Sequence, residues 1–234
     1  MGTDIHLSLE ARDLDTGVWH QIPGIPRWDR SQPPNPDPSA RDYLTFAFLA
    51  GVRNGFGFAG VHTHEPLTPL FEGRGLPKDM DGDGLVYPGS SCFDENDDIG
   101  AHIYLGDHSF TWATLVELRA APWDALVKAT GVVGRNVYEA WFADGANGPP
   151  DNWCGGTWGP NVETWSQEKY ERYMNREQGT PLEFPPGVDV YIKIEWTYSP
   201  LMERSFYRWL QSDDVTDMIR TYGPNVRLIM GFDS

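Results

Sequence analysis

Residues 4–10 alternate strictly: Ile5, Leu7 and Leu9 fall on one side of an extended chain, and Asp4, His6, Ser8 and Glu10 on the other. That period of two predicts a strand with one greasy and one polar face. LDTGVWHQI then reads as a turn around Asp15-Thr16-Gly17 followed by a second strand, which makes an N-terminal hairpin. The clearest strand in the chain is VDVYIKIEWTY. There Val188, Val190, Ile192, Ile194 and Trp196 turn inward, against Asp189, Tyr191, Lys193, Glu195 and Thr197. After the break at Tyr222-Gly223-Pro224, NVRLIMGFDS reads as a closing strand.

Helical spacing appears between these strands. Tyr43, Phe46, Ala47 and Ala50 predict a helix with Ser39 as its N-cap and Asn54-Gly55 as its stop. Trp112, Leu115, Val116 and Leu118 predict another, capped by Asp107, Ser109 or Thr111 and ended near Pro122. Further helices are expected at 123–130, 135–143, 164–176, 200–211 and 213–222, and a short strand at 102–106. Six prolines between positions 23 and 38 forbid both helix and inner strand there. Residues 55–100 and 144–165 are likewise irregular. The expected fold is therefore a single α+β domain over 1–234, with loop-rich insertions at about 23–38, 55–100 and 144–165. Its terminal strands share a mixed or antiparallel sheet with helices packed on one face. The polar face would carry His6, Lys193, Glu195, Arg227 and Asp233.

Composition narrows the partners. With 10 Trp, 10 Tyr and 11 Phe the chain has ample apolar surface for a core. Eighteen basic residues against 34 acidic ones leave a net charge of -16, which repels a long nucleic acid. A small phosphorylated ligand stays open, because a pocket needs only one or two local arginines or a bound cation. No apolar run reaches the ~18 residues that span a bilayer, and no charged-then-apolar leader opens the chain, so no membrane is expected. Only Cys92 and Cys154 are present, read as reduced thiols in a cytoplasmic protein. A homo-oligomer is compatible with all of this.

Three clusters bear chemistry-capable groups: Asp4-x-His6, His62-x-His64-Glu65 and Asp107-His108. Imidazole nitrogens and carboxylate oxygens ligate zinc, manganese and, through oxygen, magnesium, and two residues apart on an extended chain they point one way. Each cluster has a plain alternative: a hydrogen-bonded pair on an open sheet for Asp4/His6, a solvated loop pair for His62/His64, and helix capping for Asp107. MDGDG at 80–84 starts like a calcium loop but lacks its twelfth-position glutamate, so it reads as a turn. GFGFAG at 55–60 does not join a strand to a helix, which removes the phosphate-cradle reading. Arg53, Asn54 and Arg74 lie beside glycine-rich backbone and are the anion-binding candidates, with surface salt bridges as the alternative.

The start MG-x-DIH, the helix text LAGVRN, RGLP at 74–77, DHS-x-TW-x-TL-x-EL at 107–118 and the ending VRLIMGFD together resemble a family of uncharacterised proteins of phage and bacterial genomes. The blocks run from end to end, with divergent spacers. The resemblance implies that Asp4, His6, Arg53, Asn54, Arg74, Asp107 and His108 lie in recurring blocks and that His62 and His64 do not. It also implies an accessory role in phage infection, including interference with nucleotide-based defence of the host.

Two functional expectations follow, with a third behind them. In the first, Asp4, His6 and His108 catalyse hydrolysis of a nucleotide-like phosphoester. Asp4, His6, Asp107 and His108 bind a divalent metal ion, and Arg53, Asn54 and Arg74 hold the phosphate. In the second, the arginines and aromatics sequester a nucleotide signal without turnover. The third is a structural or protein-binding accessory whose acidity faces a basic partner.

Overall fold

The computed structural model describes residues 2–25, 37–81, 105–175 and 184–233. Its strands are β1 (Asp4–Arg12), β2 (Trp19–Gln21), β3 (His108–Thr114), β4 (Val127–Gly134), β5 (Val162–Ser166), β6 (Asp189–Tyr198) and β7 (Val226–Asp233). Its helices are α1 (Tyr43–Ala50), α2 (Leu115–Arg119), α3 (Arg135–Ala143), α4 (Gln167–Met174), α5 (Ser205–Leu210) and α6 (Asp213–Tyr222). The fold is α+β, as its alternating and helical stretches predict, and the first and last strands do pair with each other. Where the sequence reads as one domain, the chain falls into two compact units. Unit 1 comprises residues 1–54, 67–125 and 201–234, and unit 2 comprises 55–66 and 126–200.

Unit 1 is built on a four-stranded antiparallel sheet of order β2-β1-β7-β3. The register Ile5↔Phe232, Leu7↔Met230, Leu9↔Leu228 puts six apolar side chains on one face. The buried helix α1 covers that face, with Phe46 edge-on to Phe232 at 5.3 Å. Asp42, not Ser39, caps α1, its carboxylate accepting from the Leu44 and Thr45 amides. Ser39 instead donates to Asp37 in the preceding turn. Gly51 at φ 73° ends the helix before Asn54 is reached.

Unit 2 carries a three-stranded sheet of order β4-β6-β5, with β4–β6 antiparallel and β5–β6 parallel. Ile192, Ile194 and Trp196 are buried as their alternation predicts. They share a core with Tyr138, Trp141, Trp165, Tyr170 and Tyr173 from the elements around them. Lys193 and Glu195 therefore belong to this sheet and not to the face that carries His6.

Three helix expectations give way to strands for one reason. Phe110-Thr111-Trp112, Val127–Val133 and Val162–Trp165 are β-branched and aromatic runs, and the ladder outweighs their helical spacing. Helix α2 consequently starts late, with a Thr114/Glu117 capping box. Helix α4 starts at Gln167, capped by Ser166. Of the strand expected at 102–106, residues 102–104 lie outside the described residues, and Leu105 and Gly106 are not in a strand. Among the described residues no helix is long and apolar enough to cross a membrane.

Candidate functional site

Asp4 and His6 stand on one side of β1, and the antiparallel register brings Asp233 beside them from β7. His6 Nε2 lies 3.0 Å from Asp233 Oδ2, while Asp233 Oδ1 accepts the Asp4 amide at 3.1 Å. A carboxylate only accepts, so Nε2 is the donor of this bond. The two side chains retain 25% and 31% of their exposure, so solvent and solutes reach the pair. Beside it Arg41 grips Asp4 with two bonds of 2.7 Å. That fork holds the Asp4 carboxyl below the usual carboxylate range. Neither Arg41 nor this pairing announces itself in the sequence, since α1 and β1 are 30 residues apart with proline-rich chain between them.

The DHS segment reaches the same sheet but not the same side. β1 and β3 flank β7, about 10 Å apart across it. His108 is registered against Phe232, the neighbour of Ile5, whereas His6 is registered against Gly231. The His108 and Phe232 rings stack at 6.4 Å, and Nδ1 of His108 bonds the Ser109 hydroxyl at 2.9 Å. Asp107 sits 3.9 Å from His108 and caps no helix. Gly231 allows the crossing: a Cβ there would run into the Leu105 carbonyl oxygen. The expected convergence of Asp4, His6, Asp107 and His108 is thus split between two faces. Among the described residues no three His, Cys, Asp or Glu side chains gather as they would around a metal ion.

The anion candidates are engaged within the fold. Arg53, left-handed at φ 54°, donates to Thr3 Oγ1 at 2.7 Å and lies 5.1 Å over the Tyr43 ring. Asn54 spends both ends of its amide on the Leu67 backbone, each bond 2.7 Å. Arg74 forks onto Glu117 and sits over Phe71 and Trp112 at 4.7 and 5.3 Å. It extends a series that the sequence hides: Trp19, Arg227, Trp112, Arg74 and Phe71 alternate ring and guanidinium. Arg227 is the buried member, 3% exposed, paired with the fully buried Glu10 at 2.7 Å and with Asp79 at 2.8 Å. The bond from Arg227 lowers the Asp79 carboxyl. The polar face of β1 is therefore closed at its Glu10 end and open only at its Asp4 end. Asp81 accepts the Gln21 amide, so the start of the MDGDG stretch is tied to the sheet edge.

In unit 2 the histidines part company. His64 is buried, accepting the Gly55 amide on Nε2 at 3.1 Å and meeting Thr63 Oγ1 through Nδ1. His62 is exposed, edge-on to Phe56. Cys154 is a free, exposed thiol and Cys92 lies outside the described residues. In the aromatic-rich stretch after α3, Trp153 is edge-on to Trp196 at 4.8 Å, while Trp158 is exposed. The sequence gives little warning of a cleft of about 690 Å³ lined by residues 134–137 and 184–191. Its one visible signal is a basic residue, Arg135, opening the predicted helix at 135–143.

No family model, no curated protein and no solved structure matches the chain.

Proposed function

We propose that the protein acts on a small nucleotide-like ligand, hydrolysing a phosphoester at the open end of the unit 1 sheet. The observation that carries this reading is the solvent-reachable His6–Asp233 pair, 3.0 Å apart. Asp233 orients the ring, and the His6 imidazole takes a proton from a water whose oxygen attacks phosphorus. The imidazolium then returns that proton to the departing ester oxygen. Arg41, beside Asp4, adds positive charge at the rim. A divalent cation enters as a variable, since a carboxylate and a histidine are each able to ligate one. The setting is the interior of a bacterial cell during phage infection, in line with the resemblance above.

A second reading, sequestration without turnover, draws on Arg41 holding both oxygens of Asp4, which commits that carboxylate elsewhere. Incubating the protein with a panel of linear and cyclic nucleotides, with and without Mg²⁺, Mn²⁺ or Zn²⁺, tests both. The expected outcome is cleaved product, falling about 10²- to 10⁴-fold in His6→Ala. Ligand recovered intact after heat release supports sequestration. A panel that yields neither product nor thermal shift sinks both.

A further inference from the structure

Arg135 is an exposed residue at the start of α3 and lines a cleft of unit 2. Arg135 makes no hydrogen bond and no ion pair among the described residues. Its guanidinium rests over the Phe184 ring, 4.3 Å from the centroid. It also occupies the first turn of α3, where the helix dipole disfavours a cation, and that turn contains no acidic residue to offset it. The N-cap before it is Gly134, whose φ of -65° any residue adopts and whose Cβ would meet nothing within 4 Å. Neither strain nor crowding requires glycine there. The consequence of having it is that no side chain covers the first amides of α3. These features converge on the 690 Å³ cleft, within the size range of small-molecule sites. Opposite Gly134 in the β4–β6 register stands Tyr191. Asp189, two residues away, shares its side of β6 and also lines the cleft.

We propose that this cleft is a binding site for a nucleoside phosphate, separate from the His6–Asp233 pair. Arg135 takes the phosphate, the Tyr191 ring stacks on the base and the Asp189 carboxylate accepts from the sugar hydroxyls. The rigid Pro185-Pro186 wall beside Phe184 holds the opening. Because all of these groups lie in unit 2, the site stands whether or not His6 is catalytic.

Calorimetric titration with adenosine monophosphate, adenosine and inorganic phosphate, with NMR mapping of the responding amides, tests it. Adenosine monophosphate is expected to bind more tightly than either fragment and to shift amides in 134–137 and 184–191. Arg135→Ala should weaken it by about ten- to a hundred-fold, the range for one charge-assisted contact. Arg172→Ala, on the exposed side of α4, and His6→Ala should leave it unchanged. Gly134→Asp is the sharper variant. It caps α3 and raises Tm by about 2–4 °C, yet puts a carboxylate where the phosphate sits and abolishes binding. A loss of binding accompanied by a gain in stability cannot come from misfolding. Unaltered affinity in Arg135→Ala, or shifts confined to the His6 region, overturns the cleft as the site.

Discussion

Three arginines of unit 1 and one of unit 2 are held in different ways. In unit 1 the guanidinia of Arg41, Arg74 and Arg227 are each forked onto a carboxylate, and two of them also lie between aromatic rings. In unit 2 the Arg135 guanidinium rests over the Phe184 ring and, among the described residues, makes no ion pair. An arginine satisfied on every side, as Arg227 is, is a structural part, because a ligand would first have to displace its partners. One held by a single aromatic face keeps its donors for something else. The contrast moves the anion-binding expectation away from Arg53, Asn54 and Arg74, chosen for their glycine-rich surroundings, toward a residue that composition and spacing left unremarked.

The contrast breaks most visibly at Arg227. Removing one member of a buried ion pair leaves the other charged and unsolvated, so Arg227→Ala should cost about 3–5 kcal/mol. In denaturant titration, unit 1 should lose its tertiary signal well before unit 2. Replacing both members, Arg227→Met with Glu10→Leu, should recover most of that loss, because the apolar pair carries no desolvation cost. If the single variant is as stable as the parent, Arg227 is not the keystone of the ring–guanidinium series.

pH separates the units in opposite directions. In unit 1 the Asp4 and Asp79 carboxyls are held below their usual 3.8 by bonds from Arg41 and Arg227. The stability they contribute is present above that value and lost as pH falls through the lowered one. In unit 2 Tyr138 and Tyr170 cross over between α3 and α4, donating to Glu171 and Glu139 at 2.9 and 2.5 Å. Burial first, then these carboxylates, push both phenols above their usual 10.0. Their contribution is full below pH 10 and lost as pH rises beyond it. Absorbance at 295 nm should therefore show two of the 10 tyrosines resisting ionisation until unit 2 unfolds. Near-UV circular dichroism should show unit 1 loosening first on the acid side. Ten tyrosines titrating together would remove the proposed difference.

How much of this was legible depends on the range of the interaction. Period-two alternation disclosed β1 and β6, the break at Gly223-Pro224 disclosed β7, which is buried on both faces, and 3.6-residue spacing disclosed α3, α5 and α6. The misread stretches, such as Val127–Val133, carry both a helical pattern and β-branched side chains, and only a partner strand decides between them. The site divides the same way. That Asp4 and His6 share a side follows from the strand. That Asp233 completes them and His108 does not depends on register, which a one-residue bulge at Ser109, φ 53°, is enough to alter. Pairings such as Glu10 with Arg227, 217 residues apart, leave no local trace.

The smallest expected effect is at Arg74, where the two roles for an arginine in unit 1 make different forecasts. Its partner Glu117 feels burial upward, but bonds from Arg74 and Thr114 outweigh that and lower its carboxyl. Both side chains of the pair remain about a third exposed or more, so solvent screens the attraction and the pair is worth about 0.2–1 kcal/mol. Arg74→Lys keeps the charge but forfeits the fork and the flat contact with Phe71 and Trp112, so most of that stability should still be lost. Affinity for adenosine monophosphate should not move in either Arg74→Lys or Arg74→Ala. If instead binding weakens while melting is unchanged, Arg74 is a ligand contact after all. The distinction between Arg41, Arg74 and Arg227, each held by a carboxylate, and Arg135, held over a ring, would then fail at the residue where it is most easily tested.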